Sequence, residues 1–235
     1  MIGAGLIIGL FLFGGYALQT VGLQHTTASK AGFITGLSVV IVPVLSASLL
    51  RRMPDRQALA GVILATIGLA LLTLDRNMIP TKGDLIVLGC AVCFALHITA
   101  VSAFAPRTDA LALTIVQIGV VALLSGIIAA TSEKWLWDIP RDIYLSAAFT
   151  GVLATALAFA IQNSVQVHTT STHTALIFAT EPVFAALFGY FMANEHLTKR
   201  ALVGCGFILL GMLLAELRIG TAQQSSANLN KGEKL

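Results

Sequence analysis

Charge is what this sequence has least of. Its 235 residues include fourteen Lys and Arg and eleven Asp and Glu, 11% together, against about 25% in an ordinary soluble domain. So few charges leave little room for a water-soluble surface. Disorder needs low hydrophobicity and high charge, the reverse of a chain that is 57% hydrophobic. A net charge of +3, carried by scattered residues, gives no nucleic-acid-binding face. Cysteine is scarce as well. Cys90 and Cys93 share a helix face and Cys205 lies deep in another apolar stretch, which yields no disulfide framework. A Walker or other nucleotide motif is missing, so ATP hydrolysis and a bound cofactor are not expected. No basic segment precedes the apolar start at Met1, so no cleavable signal peptide is visible. The alternating pattern of barrel strands is absent. What remains is an all-α, polytopic membrane helical bundle.

Eight apolar stretches are long enough to cross a hydrocarbon core of roughly 30 Å as helices. They run near Ile2–Leu23, Ser29–Leu50, Gln57–Leu74, Asp84–Ala105, Leu111–Thr131, Ile143–Val165, Thr172–Ala193 and Ala201–Leu217. Helices are required because backbone exposed to lipid must satisfy its own hydrogen bonds. The breaks carry turn residues at Pro54-Asp55, Pro80, Pro106–Asp109 and Asp138–Pro140, and their shortness makes neighbouring spans antiparallel. Trp135 and Trp137 fall between spans five and six, where aromatic rings settle at the headgroup level. Lys and Arg divide seven against seven between the two sides, so the positive-inside rule gives no orientation. The tightest cluster, Arg51-Arg52-Met53-Pro54-Asp55-Arg56, mildly favours a cytoplasmic location for its own side.

The chain resembles itself at an offset of 143 residues. Gln19 and His25-Thr26-Thr27 return as Gln162 and His168-Thr169-Thr170, and Gly61 and Gly68 return as Gly204 and Gly211. Fifteen of the 75 pairs between residues 1–75 and 144–218 are identical, about twice the number that composition alone gives. The offset holds five spans, an odd number, so matched helices cross in opposite senses, as in the inverted repeats of secondary transporters. This divides the chain into a partial first repeat of three spans (1–75), a second repeat of five (76–218) and a polar tail (219–235). The partners of spans four and five would lie roughly 60 residues upstream of Met1, and the expectation is that the first repeat lacks its opening helix pair.

Several stretches resemble the drug/metabolite transporter superfamily, and in particular an EamA-type permease. They are Ala31–Ser38 leading to Pro43 in span two, Thr180-Glu181-Pro182-Val183 in span seven, Asn194-Glu195-His196-Leu197-Thr198, and Gly204 and Gly211 in span eight. The resemblance covers essentially residues 1–218. It implies two five-helix repeats, ten spans and cytoplasmic termini, of which this chain would hold the last eight. Arg52 stands where the second repeat has Glu195.

Glu181 is the one charged residue well inside a span. An unpaired carboxylate there costs at least ~2.5–3.5 kcal/mol on insertion scales. Pro182 follows it, removing a helical donor and disfavouring helical geometry at Glu181, so a kinked or broken helix is expected. Two readings stand: a substrate or proton site, or a protonated Glu hydrogen-bonded for packing alone. The matched residues of span two are Ser38-Val39, with Pro43 one turn later, so the kink is roughly duplicated and the charge is not. Thr35 and Ser38 are candidates for the same cavity, whereas Gly32/Gly36 and Gly5/Gly9 suit close helix approach. His97 could contact substrate or exchange a proton with Glu181, or be a satisfied core histidine. Its neighbours Cys90 and Cys93 lie on the same helical face, yet a tetrahedral metal site would lack its last ligand. Gln117, Gln162 and Asn163 suit interhelical hydrogen bonds or cavity lining, and so do Tyr16 and Gln19, whose repeat partners are Phe159 and Gln162. His25, His168 and His173 fall at surface turns, suited to solvation or capping.

These features predict a non-enzymatic secondary transporter, moving a small metabolite such as an amino acid or drug-like compound across the cytoplasmic membrane by alternating access. Glu181 would hold a substrate amine or a coupling proton, Pro182 would keep the helix discontinuous, and His97, Gln117 and Thr35 would shape the pocket. The rivals are a non-autonomous remnant or partner subunit and, further off, an intramembrane metal enzyme. A truncated bundle would expose inner faces of spans one to three unless another protein or a second copy, in a homo-oligomer, covers them.

Overall fold

The computed structural model describes residues 2–73, 81–132, 140–193 and 198–216. Every regular element among them is helical. The helices are α1 (Ile2–Leu23), α2 (Ala28–Gly36), α3 (Ser38–Leu49), α4 (Arg56–Thr73), α5 (Lys82–Phe104), α6 (Ala110–Ser132), α7 (Arg141–Phe149), α8 (Ala158–Val165), α9 (Ser171–Phe178), α10 (Glu181–Ala193) and α11 (Lys199–Glu216). Trp135, Trp137, Glu195 and the tail lie outside the described residues.

Short polar residues start these helices by satisfying backbone donors that a first turn leaves free. Thr81 and Asp84 form a capping box at α5: the Asp84 N–H donates to Thr81 Oγ1 at 3.2 Å and the Thr81 N–H to Asp84 Oδ2 at 2.8 Å. Asp55 accepts from the Ala58 N–H at 2.6 Å and Asp109 from the Ala112 N–H at 2.8 Å. Thr27 and Thr170, which are repeat partners, cap α2 and α9 in the same way, each accepting at 3.3 Å from the N–H three residues on.

Seven segments are long and apolar enough to cross a membrane. They correspond to the first seven expected spans, with α2–α3 forming span two, α7–α8 span six and α9–α10 span seven. The eighth expected span is α11. It carries Lys199 and Arg200 at one end and Glu216 at the other, and Ala201–Ala215 between them is uncharged.

The central element pair is α4 and α11, antiparallel and in backbone contact. A Cβ added at Gly61 would fall 2.5 Å from the Gly211 carbonyl oxygen, and one at Gly211 would fall 2.6 Å from that of Gly61. The same distances join Gly68 to the Gly204 oxygen and Gly204 to the Gly68 oxygen, 2.5 and 2.6 Å. The 143-residue offset exchanges these two contacts, so the crossing has a local two-fold. Around it a core of Val39, Val42, Val62, Ala95, Leu176 and Ala215 joins α3, α4, α5, α9 and α11.

Helix α1 lies against α5 and α6 along a glycine stripe. Gly5 and Gly9 face Val116 and Val120 of α6, Gly15 faces Phe94 and Gly22 faces Val87 of α5, all too close for a Cβ. The expectation that Gly5 and Gly9 serve close packing is met. For the other pair it is met only at Gly36, where a Cβ would collide with Leu69; Gly32 has open space beside it. The repeat partner of α1 is span six. None of the residues of α7 or of the segment that follows it is buried.

Candidate functional site

Span seven is interrupted where Glu181-Pro182 predicts it. Helix α9 ends at Phe178 and α10 begins at Glu181. Between them Ala179 has φ −62°, ψ −12°, and the Thr180 N–H donates back to Ile177 at 3.0 Å, as does its hydroxyl at 2.6 Å. Pro182 sits in the first turn of α10, where its missing donor breaks no intrahelical bond. Span two is interrupted at Leu37, with φ −61°, ψ −11°, and Leu37 matches Thr180 at the 143-residue offset. Pro43 lies inside α3 rather than at this break. The duplicated interruption therefore falls in matching places although the prolines do not match.

Glu181 opens α10 on an exposed position and makes no hydrogen bond or ion pair to a described residue. Tyr16 of α1 lies within electrostatic reach of its carboxylate and pairs with the Thr155 hydroxyl. Tyr16 thus links two parts of the second repeat to α1: the start of α10 through the Glu181 charge, and the middle of span six through Thr155. Thr155 had no signal in the residue pattern. It lies in a π-helical stretch, Thr150–Leu157, between α7 and α8, where its hydroxyl donates to Thr150 O at 3.0 Å, five residues back. Such wide turns concentrate at functional sites. Its repeat counterpart, Ile7–Gly14, is ordinary α-helix.

Tyr16 also meets Phe94 of α5 edge to face, with ring centroids 5.7 Å apart. Its repeat partner Phe159 meets His97, one turn further along α5, at 5.4 Å. Helix α5 is therefore gripped at its middle by two symmetry-related aromatic rings. His97 is buried and pairs with Gln117 of α6, its Nε2 lying 3.0 Å from Gln117 Oε1. Because Oε1 only accepts, that nitrogen carries the proton. Its hydrogen bond goes to Gln117 and not to Glu181, so the two are not brought together as a proton pair. Gln117 Nε2 is left buried with no partner among the described residues.

Beyond Gln117 the polar groups tie span six to α5 and α6. Asn163 Nδ2 donates to Thr114 Oγ1 at 2.8 Å, and Gln162 Nε2 to Gln166 Oε1 at 2.9 Å. Gln166 Nε2 reaches the Ile98 carbonyl at 2.6 Å and Ser102 Oγ at 2.7 Å. Interhelical bonding is what the structure gives Asn163, whereas Gln162 bonds to Gln166 within its own span, and the amide oxygen of each is buried without a partner among the described residues. Thr35 stands 3.8 Å from Cys90 Sγ, whereas Gln19 and Ser38 are half-buried and make no side-chain hydrogen bond to a described residue.

The Cys90, Cys93 and His97 side chains, expected on one face, meet three different neighbours. Cys90 meets α2 at Thr35, Cys93 meets α1 beside Gly14, and His97 meets α6 at Gln117. Among the described residues no group of three His, Cys, Asp or Glu could hold a metal ion. His173 is a cap: its Nε2 lies 3.1 Å from the Ala215 carbonyl at the end of α11, and its Nδ1 lies 2.6 Å from Thr170 Oγ1. At the opposite end of the bundle Asp84 joins α5 to α2 through Lys30 Nζ, 3.5 Å away, and to the α1–α2 turn through Thr26.

Comparison with known proteins places this geometry in context. The model of the EamA-like transporter family matches residues 1–74 and 81–217. A protein of Archaeoglobus fulgidus named as an uncharacterized transporter is 34% identical over 216 residues, 92% of this chain and 69% of the relative. The Bacillus subtilis protein named uncharacterized transporter YyaM is 25% identical over 217 residues, 89% of this chain and 70% of its own length. One crystal structure superposes with a TM-score of 0.80 at 19% identity, covering 90% of this chain and 76% of the other, and so shares the fold.

Proposed function

This chain belongs to the EamA-like transporter family, and from that premise we propose that it is a secondary transporter of the cytoplasmic membrane, carrying a small amine-bearing metabolite by alternating access. The membership itself makes it a multi-pass membrane transporter with a lipid bilayer around it and a small-molecule substrate. The observation that carries the finer reading is the unpaired Glu181 carboxylate at the interruption of span seven, within electrostatic reach of Tyr16. Intramembrane acids are retained where they bind substrate or relay protons. Interrupted helices supply free backbone groups for the same purpose.

In this reading Glu181 holds the substrate ammonium or the coupling proton. Tyr16, held by Thr155, lines the approach to it, and Pro182 keeps α10 from continuing α9. His97 and Gln117 wall the site from the α5–α6 side, with Thr35, Ser38 and Gln19 placed on the first-repeat side. The second repeat supplies the charge and the first supplies the neutral wall, because Ser38 stands where symmetry would put a second acid.

Purified protein reconstituted into liposomes tests this. Uptake of a radiolabelled L-amino-acid mixture should follow an imposed proton gradient and collapse when a protonophore dissipates it. Uptake that ignores the gradient would remove the coupling proton, and none above empty liposomes would remove amino acids as the amine class.

A further inference from the structure

The turn between α3 and α4 combines two features that the transport reading leaves unused. One is a surface groove of ≈ 490 Å³, lined by Pro43, Val44 and Ala47 of α3, Met53 and Pro54 of the turn, and Leu59 of α4. Ala47 is too small to fill the space between the two helices, and Val39, Val42 and Ser46 point the other way, into the core. The groove is shallow and apolar apart from Ser48, whose hydroxyl is turned onto the Val44 carbonyl at 2.9 Å. Met53 at its mouth is 81% exposed.

The second feature is charge. Arg51, Arg52 and Arg56 flank that mouth, all exposed and none ion-paired with a described residue. The one acid in the turn, Asp55, is occupied in capping α4 through the Ala58 N–H at 2.6 Å. The turn itself is built to hold this arrangement. Arg51 takes a left-handed backbone, φ 53°, unusual for a non-glycine residue, and the Arg52 N–H returns to the Ser46 carbonyl at 3.1 Å.

An apolar groove on a membrane-embedded face has to be filled by hydrocarbon, and the turn at its end lies where the headgroups begin. Three unneutralised arginines at that level select the headgroup by charge, since each basic residue near an anionic surface contributes about 1 kcal/mol. Guanidinium groups also pair with phosphate oxygens in forked geometry. We propose that this groove is a binding site for one anionic phospholipid, with an acyl chain lying between α3 and α4 and the headgroup phosphate held by Arg51, Arg52 and Arg56.

The test is native mass spectrometry of the delipidated full chain, offered equimolar dioleoylphosphatidylglycerol and dioleoylphosphatidylcholine. The wild type should retain the phosphatidylglycerol adduct at least about tenfold better, well within the roughly hundredfold that about fivefold for each of three arginines would give. Replacing all three arginines by Gln should bring the ratio down to that of non-specific adducts, whereas all three as Lys should keep a preference. Lys199→Gln with Arg200→Gln, in the starting turn of α11, controls for net charge and should leave the ratio unchanged. Ala47→Trp fills the groove and should release the lipid although the arginines remain. An unchanged ratio in the triple Gln variant would overturn the proposal. So would displacement of the lipid by excess glycerol 3-phosphate, which would make this a soluble-phosphate site, or full retention in Ala47→Trp. Monodisperse elution of each variant separates lost lipid from lost fold.

Discussion

Gly61 and Gly211 touch backbone to backbone: a Cβ on either would lie 2.5–2.6 Å from the other's carbonyl oxygen. The 143-residue offset converts this contact into that between Gly204 and Gly68. One sequence repeat therefore makes both halves of a single helix crossing, and the first prediction follows. Valine at any of the four should lower the thermal midpoint of the detergent-solubilised protein, because the obstacle is backbone that cannot swing aside. Overpacking of this kind costs about 1–3 kcal/mol or more. Symmetry-related substitutions should be similar: Gly61→Val should match Gly204→Val, and Gly68→Val should match Gly211→Val. Gly32→Ala, with open space beside it, serves as the neutral control.

The sequence made this crossing legible through the repeat alone, since Gly61, Gly68, Gly204 and Gly211 recur in register. Helix count, helix limits and the Glu181-Pro182 interruption were legible for similar local reasons: runs of apolar residues, cap residues and a missing donor. The break at Leu37 was readable only approximately. Pro43 suggested a kink, but the helix yields six residues earlier, where Gly36 is pressed against Leu69 from another element. The π-helical turns around Thr155 were not legible, because Thr150–Leu157 has ordinary helix-forming composition and the wide register answers to neighbours. The partners of His97, Cys90 and Cys93 were not legible for a related reason. Spacing places residues on a face, but in a crowded bundle one face meets several helices.

His97 and Gln117 offer a way to separate packing from transport. Each single replacement by Leu should destabilise the protein by about 1–3 kcal/mol, because it strands a buried polar atom of the other. The double replacement by Leu should recover most of that loss, since no partner is left unsatisfied. Thermal unfolding of the three variants measures this. Flux retained in a stable double variant would show that the pair is structural, whereas flux lost from it would place the pair at the substrate.

Asp84 is the hub of the opposite end, accepting from the Thr81 N–H, Thr26 and Lys30. Asp84→Ala should cost about 1–3 kcal/mol by leaving these donors without an acceptor. Lys30→Gln should cost much less, because a partly exposed ion pair contributes at most about 1 kcal/mol. Equal midpoints for the two variants would show that the ion pair, rather than the cap, holds α5 to α2.

Thr155 and Tyr16 should act on Glu181 together. Tyr16→Phe and Thr155→Val each remove one hydroxyl from the same pair, so their effects on flux should be less than additive in the double variant. Full additivity would mean that the two hydroxyls work apart. Either single variant should raise the substrate concentration needed for half-maximal uptake while leaving the folded yield unchanged.

The most direct test of the central claim is Glu181→Gln in proteoliposomes. Gln keeps the size and hydrogen-bonding capacity of the side chain and removes only the charge and the exchangeable proton, so the fold should survive with an unaltered thermal midpoint. With the amino-acid mixture used for the wild type, gradient-driven uptake should fall to the level of empty liposomes. Uptake equal to wild type from well-folded Glu181→Gln protein would contradict the account, leaving Glu181 as a packing residue and the transport site elsewhere in the bundle.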